Sequence, residues 1–228
     1  MRHLTCEQSR AVDRQAIDEY GLSGLVLMEN AGRGCADLLC RLGIRGRVVI
    51  CCGRGNNAGD GFVIARHLDL RGKEVRVLLW SDPAKLSGDA AANFAILQKT
   101  GVPIRVFTKT YEPGALADEL TGADWIVDAL LGTGAQGAPR PPLDAAIDLL
   151  NLCDARKLAV DVPSGLDGDT GKASSSSTFR ADHTATFVAP KIGFAARESH
   201  GYLGLVHVLD IGAPKKLMEQ VLAQGREL

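Results

Sequence analysis

Val48-Val49-Ile50-Cys51-Cys52, Gly53-Arg54-Gly55, Asn56-Asn57-Ala58-Gly59-Asp60 and Phe62-Val63-Ile64-Ala65-Arg66-His67-Leu68 follow one another almost without interruption. The stretch reads as strand, turn and helix. Five apolar residues with β-branched members suit a strand buried on both faces. A strand that passes through glycines into a helix N-terminus aims free backbone N–H groups at a phosphate. Two adjacent amides and a carboxylate in the same turn add oxygen ligands and hydrogen-bond partners that a plain phosphate cradle does not need.

Upstream, Thr5-x-x-Gln8 is a capping-box signature, followed by Val12, Ala16 and Ile17 at helical spacing, with Gly21 as a stop. A second helix is expected over 24–42, burying Leu25, Met28, Ala31, Cys35, Leu38 and Leu39, and Gly43 ends it. Downstream, strands are expected over 48–52, 75–80, 104–107, 125–130, 158–162, 183–188 and 206–209. Helices fall over 61–70, 89–99, 114–120, 143–153 and 213–223. That alternation predicts an α/β fold whose mainly parallel sheet carries helices on both faces. The chain is expected to form a single domain over 1–228, with N-terminal helices at 5–42 and the α/β core at 47–224.

At 228 residues, 46% hydrophobic and with a net charge of −1, the composition is that of an ordinary globular enzyme-sized domain. The charge balance lacks the basic footprint of a nucleic-acid binder. No apolar run reaches the length of a membrane span, and the N-terminus has no signal-peptide core, which places the protein in the cytoplasm. The six cysteines at 6, 35, 40, 51, 52 and 153 form no C-x-x-C pair, so they read as small buried apolar residues, not zinc ligands. Ser174-Ser175-Ser176-Ser177 reads as a solvated, mobile connector.

In an open α/β sheet, ligands bind beyond the carboxyl ends of the strands, where strand order reverses. Three loops should meet there: 53–60, 128–140 and 161–167. Asp128 and Asp161 lie at the ends of apolar strands, and a carboxylate so placed must be paired, hydrogen-bonded or bound to a cation. Asp167 and Asp169 are better read as turn acids. Gly132-x-Gly134-x-x-Gly137 lets the backbone approach a ligand and form an anion nest. Arg140 either adds a phosphate contact or faces solvent. His67 reads as structural, and Ser164 as an oxygen ligand or hydrogen-bond donor outside any nucleophile elbow.

These residues resemble the YjeF N-terminal domain family, the NAD(P)H-hydrate epimerases. The resemblance runs through Leu27-Met28-Glu29-Asn30-Ala31-Gly32, Gly55-Asn56-Asn57-Ala58-Gly59-Asp60-Gly61, Val127-Asp128-Ala129-Leu130-Leu131-Gly132-Thr133-Gly134, Asp161-Val162-Pro163-Ser164-Gly165-Leu166-Asp167 and Ala189-Pro190-Lys191. It implies a three-layer Rossmann-like enzyme that interconverts the R and S epimers of hydrated NADH and NADPH (NADHX and NADPHX). It also implies one potassium ion per subunit on Asn57, Asp128 and Ser164. Substrate contacts are implied at Asn56, Asn57, Ala58, Gly59, Asp60, Gly132, Thr133, Gly134, Ala135, Gln136, Gly137, Ala138 and Asp161, with Asp161 as the proton-transfer group. A homodimer working beside a separate ADP- or ATP-dependent dehydratase is implied too, since no fused dehydratase domain is expected in a chain of this length.

Amide, carboxylate and hydroxyl oxygens suit such a hard cation. The family usually has glycine where this chain has Ala58, a residue that disfavours positive φ and adds a methyl group near the ligand. Two alternatives compete. A Rossmann oxidoreductase would use Gly53-x-Gly55-x-x-Ala58 and Asp82, yet Asp60 would repel the pyrophosphate and no Tyr-x-x-x-Lys pair is present. A non-catalytic dimerising scaffold of the same fold, of the kind that serves in RNA decapping, would not need Asn57, Asp128, Asp161 and Ser164 intact.

Overall fold

The computed structural model describes residues 2–107, 113–135, 137–224 and 226–227. The chain opens with a short β1 (Arg2–His3), α1 (Cys6–Asp18) and α2 (Gly24–Leu42), then enters the sheet at β2 (Arg47–Cys52). Helix α3 (Asn56–Leu70), β3 (Val75–Leu79), α4 (Gly88–Leu97), β4 (Ile104–Val106), α5 (Pro113–Leu120) and β5 (Ala123–Ala129) follow. The remaining elements are α6 (Leu143–Leu152), β6 (Arg156–Val160), β7 (His183–Phe187), α7 (His200–Leu203), β8 (Leu205–Leu209), α8 (Lys215–Gln224) and β9 (Arg226–Glu227).

Seven strands form one sheet in the order β4-β3-β2-β5-β6-β7-β8, every neighbouring pair parallel. The sequence turns back on itself between β2 and β5, so the carboxyl ends of those strands border the ligand crevice of a doubly wound sheet. Alternate residues of β2 face opposite layers. Val48, Ile50 and Cys52 pack with Cys35, Leu39 and Phe62, while Val49 and Cys51 pack with Leu78, Ile126 and Leu150. Both faces are therefore covered, as the apolar strands require. No helix among the described residues is long and apolar enough to cross a membrane.

Several local expectations shift. Helix α3 begins at Asn56 behind an N-cap at Gly55, so Asn56 to Asp60 occupy its first turns and not a loop. Ala58 is consequently helical, buried and part of the core, and no positive φ is asked of it. Ile17 and Leu25 are 41% and 40% exposed: Val12 and Ala16 take the inward positions of α1, and Leu27, two residues after Leu25, that of α2. The serine stretch is fastened, not a free connector: Ser177 is buried and donates to Asp148 at 3.0 Å, while the Ser174 N–H bonds the Gly165 carbonyl at 2.8 Å. The pairing of β1 with β9 has no counterpart in the sequence reading.

The capping box of α1 is complete: Thr5 Oγ1 accepts from the Gln8 N–H and Gln8 Oε1 from the Thr5 N–H. Two long-range ties fix where this helix lies. The Cys6 N–H donates to Asp169 Oδ1 at 2.6 Å. Leu4 forms a bridge with Lys191, donating to the Pro190 carbonyl at 3.0 Å and accepting from the Ile192 N–H at 2.8 Å.

Candidate functional site

The three motif segments converge at the carboxyl ends of β2, β5 and β6. Asp128, fully buried in β5, sits in register between Cys51 of β2 and Ala159 of β6. Its Oδ1 accepts from Ser164 Oγ at 2.7 Å and from the Leu130 N–H at 3.1 Å, and its Oδ2 accepts from the Ser164 N–H at 2.8 Å. Burial pushes this carboxyl up to about 6, against the pull of those hydrogen bonds. Ser164 Oγ accepts in turn from the Leu131 N–H at 3.0 Å. Asn57 Nδ2 donates to the Leu131 carbonyl at 2.8 Å, which leaves Asn57 Oδ1 buried with no hydrogen-bond partner. An orphaned buried acceptor beside a buried carboxylate and a hydroxyl is the donor set a hard monovalent cation fits. Gly53 keeps the segments close, since a Cβ there would lie 2.0 Å from the Leu130 carbonyl oxygen.

Asp161 follows β6 and lines a cavity of about 130 Å³, together with Asp13, Asn56, Asp60 and Val188. Asp161 and Val188 are the two non-glycine residues described with positive φ, at 67° and 72°. Left-handed backbone at an aspartate and a β-branched valine marks a wall held in strain by its surroundings. Asp161 Oδ1 lies 2.8 Å from Lys191 Nζ. Lys191 is completely buried and also donates to Thr186 Oγ1 at 3.0 Å. Asp60 is 9% exposed, without a hydrogen bond or ion pair among the described residues. Burial first, then the charges of Asp161 and Asp13, hold its carboxyl well above the usual carboxylate range.

A second cavity, of about 350 Å³, is lined by Gly132, Thr133, Ala135, Gly137, Ser164 and Gly165 among others. Arg10 and Thr133 line both cavities. Of the expected substrate contacts, Asn56, Asp60, Thr133 and Asp161 reach the smaller cavity, while Gly132, Thr133, Ala135 and Gly137 reach the larger. Asn57, Ala58, Gly59, Gly134 and Ala138 line neither, and Gln136 lies outside the described residues. Arg140 is exposed and lines neither cavity, so its solvent-facing reading holds. The arginine at the site is Arg10, which donates to the Thr133 carbonyl and pairs with Glu7 at 2.9 Å.

Asp167 is a turn acid, accepting from the Asp169 and Thr170 N–H groups at 2.9 Å each, and His67 meets Glu29 at 2.7 Å as a structural histidine. Asp169 does more than cap a turn, because it ties down the start of α1. Sequence reasoning missed Asp13 and Arg10 on α1 and the buried state of Lys191. A charged residue next to the inward Val12 of an amphipathic helix was the available signal for Asp13. Nothing local signalled Lys191.

A family profile described as YjeF-related protein N-terminus matches residues 24–193. The NAD(P)H-hydrate epimerase of Pirellula staleyi is 48% identical over 215 residues, 94% of this chain and 94% of that protein. The NAD(P)H-hydrate epimerase of Rhodopirellula baltica is 43% identical, over 95% of this chain and 87% of its own length. A bifunctional NAD(P)H-hydrate repair enzyme of Salinibacter ruber is 42% identical across 95% of this chain, which corresponds to 42% of that longer protein. The crystal structure of yeast ynu0 superposes with a TM-score of 0.80 over 97% of this chain and 93% of its own at 22% identity, and so shares the fold.

Proposed function

The chain belongs to the family of YjeF-related protein N-termini, and from that membership we infer that it epimerises the R and S forms of hydrated NADH and NADPH. The observation that carries this reading is 48% identity to an NAD(P)H-hydrate epimerase along 94% of both chains. The convergence of the three motif segments on one crevice agrees with it.

The hydroxylated carbon of the substrate is bonded to the ring nitrogen. When its C–O bond breaks, the electron pair leaves with oxygen and the nitrogen lone pair forms an iminium. Water adding to the opposite face inverts the centre without a redox step. In this reading Asp161 exchanges a proton with the reacting oxygen and stabilises the cationic ring, help typically worth ~10²–10⁴-fold. The ion pair with Lys191 fixes the aim of its carboxylate. The glycine-rich segment at Gly132, Thr133, Ala135 and Gly137, which lines the larger cavity, receives the dinucleotide phosphates. A potassium ion held by Asn57 Oδ1, Asp128 and Ser164 Oγ would supply a counter-charge for Asp128 and pin the segments together. The same membership is the ground for a cytoplasmic homodimer that passes the S epimer to an ADP- or ATP-dependent dehydratase.

The test follows decay of the R epimer with excess S-specific dehydratase, in potassium and in tetramethylammonium salts. Acceleration above the spontaneous rate, greater in potassium, is expected. A decay no faster than the spontaneous one overturns the assignment.

A further inference from the structure

Inverting a carbon by losing a hydroxyl from one face and adding water to the other sets two proton tasks. The departing oxygen takes up a proton, and the arriving water gives one up on the opposite side of the ring. One ion-paired carboxylate cannot attend both faces at once. The wall of the smaller cavity carries a second carboxyl within electrostatic reach of Asp161, from a different element. Asp13 projects from α1 as an exposed residue and lines the same cavity as Asp161.

We propose that Asp13 is a second catalytic carboxyl of this site, the acid that protonates the departing hydroxyl while Asp161 accepts the proton of the incoming water. This rests on the epimerase reading above. In the step, the Asp13 O–H bond breaks as its proton passes to the substrate oxygen, and the C–O bond breaks to release water. A water oxygen then bonds to the iminium carbon, returning the pair to nitrogen, and its surplus proton goes to Asp161. One proton has moved from Asp13 to Asp161, and exchange with solvent resets both. The opposite epimer runs the same sequence with the two roles exchanged, as reversibility demands.

The charged groups around Asp13 divide the work. Desolvation by the cavity wall and the Asp161 charge push its carboxyl up to about 6, while Lys191 and Arg14 draw it down. Arg10 on the same helix and Asp89 on α4 also line the cavity. Asp60 is the competing candidate for the acid. It lies deeper, on α3, and burial first, then the charges of Asp161 and Asp13, hold its carboxyl well above the carboxylate range. Asp60 also lines this cavity, from α3.

The experiment measures steady-state epimerisation from pH 5 to 9 for the wild type, Asp13→Asn, Asp13→Glu and Asp60→Asn, with the spontaneous rate subtracted at each pH. Folding is checked by thermal melting. Wild-type kcat/KM should decline above about pH 6 as the free acid titrates. Asp13→Asn should lower kcat ~100-fold with little change in KM and abolish that decline. Asp13→Glu should recover part of kcat and restore the decline, and Asp60→Asn should keep it. Folded Asp13→Asn with wild-type kcat, or loss of the alkaline decline in Asp60→Asn but not in Asp13→Asn, overturns the proposal and leaves the epimerase reading standing. Wild-type protein without any acceleration overturns both.

Discussion

Lys191 shows how much a single residue contributes to this architecture. A lysine that is completely buried is rare unless it is paired, and here its partner is the carboxylate of Asp161 at 2.8 Å. Removing one member of a buried pair leaves the other uncompensated and costs about 3–5 kcal/mol. Lys191→Met is therefore expected to lower thermal stability markedly and to cut kcat, even in protein still folded at low temperature. A melting curve and turnover unchanged from wild type would remove Lys191 from the site. Asp128 and Asp161 were legible because carboxylates closing apolar strands demand partners. Lys191 was not, since a lysine after Pro190 reads as a loop cation. Its backbone is bridged to Leu4, which no local pattern connects to it. The unpartnered Oδ1 of Asn57 was equally invisible, because the sequence does not say which amide atom Leu131 satisfies.

At the scale of elements, the close crossing of α2 and α3 delivers Asp60 to the cavity. Gly32 of α2 permits it: a Cβ at that position would lie 2.5 Å from Val63 Cβ and 2.9 Å from the Asp60 carbonyl oxygen. Gly32→Ala should therefore prise the helices apart at a cost of about 1–3 kcal/mol, lowering the melting temperature by roughly 2–10 °C and shifting Asp60. Melting and activity both at wild-type level would show that the crossing has slack. Helix α2 was legible to its ends, because Gly43 and the apolar spacing agree. The start of α3 was not. Its first turns hold two asparagines, two glycines and an aspartate, all poor helix formers, and tertiary packing overrides that preference.

For the whole molecule, the site shapes how stability responds to pH. Asp13 is held up to about 6 and Asp60 well above its ordinary 3.8, so the folded state binds their protons more tightly than the unfolded chain does. That contribution is complete below about pH 4, and the Asp13 share is lost as pH rises through about 6. Asp128, which burial holds up to about 6, adds to this sign, whereas His183 and His207, lowered by burial, cost stability as pH falls. Glu29 and Asp124, where burial is outweighed by hydrogen bonds and ion pairs, lose their stabilisation only in stronger acid. The melting temperature should accordingly be higher by a few degrees at pH 5 than at pH 7.5, and Asp13→Asn should narrow the gap. Scanning calorimetry that finds the wild type more stable at pH 7.5 would contradict the placement of these carboxyls. Overall architecture was the most legible level, since alternating strands and helices leave few ways to cover both faces of a parallel sheet. The docking of α1 was the least legible, as it depends on contacts with residues far along the chain.

The bridge between Leu4 and Lys191 sets the order in which this protein becomes complete. Helix α1 precedes the sheet in the chain, yet its anchors at Asp169 and Pro190 lie more than 160 residues beyond its start. Asp13 and Arg10 wait on a helix without a seat until β6 and β7 exist. The helix that closes the crevice thus depends on residues beyond β6, so a chain cut before Asp169 can hold a well-formed β2–α3 unit and still lack a working site.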